Sequence, residues 1–151
     1  MDITFKTFIN KYGFSSTTNF ELLRIARDFG KQFYKQFRVV MKDELHDIPM
    51  HVKYIICNNQ GSDSAGSHWT ATFRDRDKAY VFDSYGRYPS DEIIEFLDYT
   101  NNRSYSTFIM QTNQQFCGQI SMWVLRNLFE GEDFFEIILN LKETIAKIYE
   151  L

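Results

Sequence analysis

The chain has 151 residues, 44% of them hydrophobic and 17% aromatic, which is enough for one domain, residues 1–151, with a substantial core. A net charge of −3 and a sequence pI of about 5.6 argue against a broad basic field for nucleic acid. Two cysteines exclude a disulfide framework, and His46 and His51 are not joined by cysteines at metal-ligand spacing, so no metal site is expected.

Taken from the start, Met1-Asp2-Ile3-Thr4-Phe5-Lys6 lacks the charged and apolar regions of a signal peptide, and no run is long enough to span a bilayer. The expectation is a protein that is not secreted, held inside a cell or packaged in a particle. A short helix is predicted near Phe5 to Lys11, then a turn at Gly13 to Thr17. Thr18 caps a helix over Phe20 to Phe29, with Leu22, Leu23, Ile25 and Ala26 as its apolar stripe and Gly30 at its end. Lys31 to Asp47 fits either an extended strand or a second helix. Its basic residues Lys31, Lys35, Arg38 and Lys42 read as a solvated face, with phosphate contact as the less favoured alternative.

Strands are predicted at His51 to Cys57, His68 to Phe73, Ala79 to Phe82 and Thr107 to Met110. Cys57 reads as a small core residue within the sheet. Asn58 to Ser67 is a polar loop, either a substrate-binding segment or a plain connection. Ser90 caps Asp91 to Tyr99. Two further helices follow. One begins at Cys117 and is buried on most of its circumference, and the last, about Asp133 to Tyr149, has a helical apolar period suited to docking on the core.

The chemistry-bearing residues sit on these elements. Thr70-Ala71-Thr72-Phe73 and Ala79-Tyr80-Val81-Phe82 flank the charged run Arg74-Asp75-Arg76-Asp77, a pattern that reads as a β-hairpin. With Asp75 and Arg76 at the tip, Arg74 faces Asp77, Phe73 faces Lys78 and His68 faces Asp83, with Cβ atoms about 5 Å apart. A one-residue slip separates the pair. An Asp beside a His accepts an imidazole N–H, fixes the tautomer and stabilises the imidazolium. Taken alone, the two residues read more readily as a solvated pair on a hairpin surface.

Cys117 stands where a helix begins, and unpaired N–H groups there favour negative charge on sulfur. A buried apolar cysteine is the plainer reading of that residue alone. Gly118 removes bulk beside the sulfur. Gln111, Gln114 and Gln115 all lie in the preceding polar turn, and each has an amide able to support an oxyanion.

Ordered as His68-Trp69, Asp83, Gln111, Asn113 and Cys117-Gly118, these residues resemble the adenovirus-type and ubiquitin-like-protein-specific cysteine proteases. Met41 to Leu45, Tyr54 to Asn59 and Gly66 to Trp69 are similar to the adenain-like proteases of adenoviruses, virophages and Polinton-type elements. The resemblance covers roughly residues 18 to 130. It implies Cys117 as nucleophile, His68 as base and then acid, Asp83 as orienting group and Gln111 as oxyanion donor. Trp69, Asn113 and Gly118 are implied at the substrate-binding wall.

The same resemblance implies an α+β papain-like fold of the adenain type, a mixed sheet of about four or five strands with helices on both faces. The implied activity is an endopeptidase cutting after small residues, often Gly-Gly, in the maturation of viral capsid or precursor proteins. No metal or organic cofactor is required. The expected partner is a protein substrate, with an activating peptide allowed for and neither nucleic acid nor membrane. The expected setting is the virion and the host cytoplasm or nucleus. Two positions depart from the adenovirus enzymes: Asp83 stands where they carry Glu, and the Gln111-to-Cys117 interval matches the ubiquitin-like-specific branch better. An isopeptidase for ubiquitin-like modifiers is the nearest alternative. An acetyltransferase with the same Cys-His-acid set and a non-enzymatic binding module are more distant ones.

Overall fold

The structure, a computed structural model, describes residues 4–13, 17–59, 68–107, 109 and 116–149. Helix α1 (Phe5–Tyr12) is capped by the Thr4 side chain, and Gly13 ends it with φ 89°. Helix α2 (Asn19–Asp28) starts in a reciprocal box. The Thr18 hydroxyl accepts from the Glu21 N–H, and the Glu21 carboxylate accepts from the Thr18 N–H. The ambiguous stretch that follows resolves into three pieces: α3 (Lys31–Tyr34), strand β1 (Phe37–Met41) and a 3-10 turn at Lys42–Asp47. Lys42 lies 3.9 Å from Glu92, so the basic strip is broken by an ion pair.

Strands β2 (Tyr54–Asn58), β3 (Trp69–Arg74), β4 (Ala79–Phe82) and β5 (Arg103–Tyr105) complete a five-stranded sheet in chain order. The two inner junctions, β2–β3 and β3–β4, are antiparallel, and the two outer ones are parallel. Side-chain alternation divides the sheet into two cores. Tyr54, Ile56, Trp69, Ala71 and Phe82 face α1, α2, α5 (Cys117–Phe129) and α6 (Phe134–Tyr149). Ile55, Cys57, Ala79 and Val81 face α4 (Asp91–Phe96) and the 3-10 turn, through Ile93, Leu97 and Leu45. Helices therefore cover both faces, as the α+β expectation required. Among the described residues, no helix is long and apolar enough to cross a membrane.

The last strand differs from its expected position. Among the described residues it is Arg103–Tyr105, in parallel register with Ala79, Tyr80 and Val81. The ladder stops at Ser106. Its N–H still bonds to Val81 O, but its hydroxyl turns to the peptide group of Asp83. Thr107 and Ile109 lie beyond it outside any strand, while Phe108 and Met110 lie outside the described residues.

One buried cation anchors the closed end of the central hairpin. Arg74 donates from Nε to Val52 O at 3.0 Å and from an η nitrogen to Pro49 O at 2.7 Å, and its guanidinium lies 4.3 Å from the Phe96 ring centroid. Burial pushes its pKa down, yet two carbonyls and a ring face hold the charge. Arg74→Met strips both carbonyls of their donor. It is expected to lower the unfolding free energy by about 2–3 kcal/mol, read as an earlier urea midpoint with an unchanged slope.

Candidate active site

The β3–β4 hairpin pairs Ala71 with Phe82, Thr72 with Val81, Phe73 with Tyr80 and Arg74 with Ala79. The expected register is therefore displaced by two residues, and the tip is Arg76-Asp77. The cause is local: the Asp75 carboxylate accepts the N–H groups of Asp77 and Lys78, each at 2.9 Å, and sets the tip one residue further along the chain. A shift of two keeps every side chain on its face. His68 and Asp83 thus stay on one face as diagonal neighbours, and His68 Nε2 lies 2.8 Å from Asp83 Oδ1.

Asp83 is 3% exposed and held on all sides. Its N–H donates to Ser106 Oγ at 2.8 Å, and the Ser106 hydroxyl donates back to Asp83 O at 3.3 Å. The Tyr85 N–H donates to the same Oδ1 that meets His68, at 2.8 Å, and the Gly86 N–H donates to Asp83 O. Gly86 sits at φ 68°, in the left-handed region that closes this turn. The carboxylate is fixed before it orients anything.

His68 has its side chain 10% exposed. Burial opposes charge on the ring, but hydrogen bonds to Asp83 and to Cys117, with their charges, outweigh it and raise the pKa from 6.5 to about 9. Nε2 faces Asp83, so Nδ1, buried and without a nitrogen or oxygen partner, is the atom left for the Cys117 thiol.

Cys117 is the first residue of α5, preceded by Phe116, which supplies no side-chain cap. Its sulfur accepts the Trp69 N–H at 3.4 Å, so the residue after His68 touches the sulfur directly. The Ser121 hydroxyl, one turn along α5, donates to Trp69 O at 3.3 Å. Such close seating depends on Gly118. A Cβ there would lie 2.2 Å from Thr17 Oγ1, 3.1 Å from Leu22 and 3.2 Å from the Trp69 ring. Gly118 thus admits Thr17, Leu22 and Trp69 to the helix. Trp69 itself is 4% exposed and donates from its indole to Thr17 O at 3.1 Å.

Gln111 and Asn113 lie outside the described residues, as does most of the Asn58 to Ser67 loop. The second thiol, Cys57, is fully buried in β2, and burial pushes its pKa up to about 12, which leaves it inert. Among the described residues, no group of three or more His, Cys, Asp or Glu could hold a metal ion. Sequence reasoning did not single out Ser106, Tyr85 or Ser121. Only the order Asp83-Ser84-Tyr85-Gly86 directly after a strand, a turn signature, pointed to any of them.

The fold is a mixed five-stranded sheet with a helix that begins at Cys117 on one face and the His68–Asp83 pair at the open end of its central hairpin. That same fold is found in the crystal structures of ASFV pS273R protease. One matches with a TM-score of 0.60 at 17% identity, covering 87% of this chain and 66% of that one. A selenomethionine form matches with a TM-score of 0.58 at 18% identity, covering 87% and 67%. The chain thus spans about two thirds of the length of that protease. No protein-family model and no curated protein sequence matches the chain.

Gly118→Ala is expected to destabilise by about 1–3 kcal/mol, and adding Thr17→Ala, which removes the oxygen in the way, should recover part of the loss in the same thermal melt. The His68 pKa in the folded chain lies above its unfolded value of 6.5, so the stability it contributes is complete below pH 6.5 and is lost as pH rises through about 9. Urea midpoints across that window should fall in the native chain and change less in His68→Gln.

Proposed function

We propose that the chain is a cysteine endopeptidase of the adenain type, acting on a viral capsid or precursor protein after small residues of the Gly-Gly-X kind. The observation that carries this reading is His68 held between a buried, fixed Asp83 at 2.8 Å and the Cys117 thiol at a helix start. A fold shared with ASFV pS273R protease supports it.

The steps follow from the groups. His68 takes the thiol proton, and its raised affinity for that proton favours the transfer. Sulfur attacks the scissile carbonyl carbon, whose oxygen gains the charge that the Cys117 N–H and the Gln111 amide receive. His68 then gives its proton to the departing amine, and a thioester remains. Water, activated by His68, releases the acid and restores the thiol. Asp83 keeps Nε2–H pointing away from sulfur throughout, so that Nδ1 is the atom that exchanges the proton. Trp69 and Gly118 enter through the backbone they position, and Asn113 is proposed on the substrate-binding wall. The proposed setting is the assembling virion within the host cell.

Cleavage is to be mapped by mass spectrometry in unbranched peptides containing Gly-Gly-X and in folded ubiquitin-like fusions. Cys117→Ala should abolish cutting, and retained cleavage in that variant would sink the mechanism. His68→Ala should lose about 1,000-fold or more in kcat/KM and Asp83→Ala less, while Gln111→Ala should lose about 100-fold to 1,000-fold. Cut fusions beside intact peptides would move the assignment to a modifier-removing isopeptidase.

A further inference from the structure

We infer that Tyr85 is a positioning residue: it holds the His68 ring and the Asp83 carboxylate in one mutual geometry, and Arg87 steadies it from outside. The inference rests on the reading of Cys117, His68 and Asp83 as the reacting set. Two contacts from one residue converge on the pair. The Tyr85 N–H reaches Asp83 Oδ1 at 2.8 Å, and the Tyr85 ring lies against the imidazole with centroids 4.6 Å apart and planes at 45°. The Arg87 guanidinium lies 4.9 Å from the Tyr85 ring centroid.

The Nε2 bond to Asp83 fixes one edge of the ring, and the contact with Cys117 is made or lost as the ring turns about its two side-chain bonds. A second aromatic plane packed on its side removes that swing. The alternative role for Tyr85 is ordinary core packing, and its surroundings do not fit it. Tyr85 belongs to neither hydrophobic cluster of the sheet. It is half-buried, and the stack runs outward from the enclosed His68 to an exposed Arg87. The charged and titratable groups acting on His68 are Asp83 and Cys117, with Arg87 reaching it only through the Tyr85 ring.

The contact on backbone and the contact on ring are separable by mutation. Tyr85→Leu keeps the N–H to Asp83 and removes the plane against His68, whereas Tyr85→Phe keeps both. The first readout is the imidazole tautomer of neutral His68, observed by nitrogen NMR in a Cys117→Ala background. The second is the rate of Cys117 alkylation by iodoacetamide in the chain with its native cysteines, located by peptide mapping.

In the Tyr85-containing chain the neutral ring is expected as the Nε2–H tautomer alone. Tyr85→Leu should show both tautomers, and Cys117 alkylation at neutral pH should slow about tenfold, with both properties restored by Tyr85→Phe. If Tyr85→Leu fails to fold, Arg87→Gln takes its place, with a smaller loss in the same direction. A folded Tyr85→Leu or Arg87→Gln protein with the single tautomer and native alkylation overturns the inference. Neither readout needs peptide cleavage, so a chain that cuts no substrate yet shows the tautomer change would fail the peptidase reading and keep this one.

Discussion

Everything at the site depends on how closely α5 lies on β3. Two side chains from one turn of the helix grip a single strand residue, Cys117 at the Trp69 N–H and Ser121 at the Trp69 carbonyl. That proximity requires a surface without side-chain bulk, which Gly118 provides against Thr17, Leu22 and Trp69. Because His68 precedes Trp69 in the chain, seating Trp69 on the helix brings the His68 backbone to the start of α5. The sulfur is positioned by packing.

The electrostatics build on that packing. A buried imidazole ordinarily resists protonation, and here the opposite holds because both of its sides meet acceptors of charge. The two thiols of the chain illustrate the contrast. Cys57, inside a strand and surrounded by apolar groups, is held as an inert thiol, whereas Cys117 is placed beside the only imidazole that faces an enclosed carboxylate among the described residues.

Much of this was legible in the sequence because period and parity survive errors of position. The hairpin register was off by two, but an even displacement preserves facing, so His68 and Asp83 were correctly placed together. What hid the true register was the Asp75 side chain, whose hydrogen bonds within the turn move the tip one residue along and leave no apolar signature. Strand β5 was misplaced for a related reason. Arg103-Ser104-Tyr105 carries no alternation worth the name, and it is a strand only because β4 offers it a parallel edge. The contacts of Trp69 with Thr17 and Ser121 join segments 52 residues apart in sequence, and no local pattern encodes them.

An edge strand of three residues is usually the part of a sheet that a protein can spare. Here the residue ending it, Ser106, both receives and donates a hydrogen bond at the peptide groups of Asp83. The outermost strand and the acid that orients His68 are therefore in mechanical series. A tug, a truncation or a slipped pairing at that margin is delivered to the carboxylate without passing through the core, which makes the periphery of this sheet as intolerant of change as its centre.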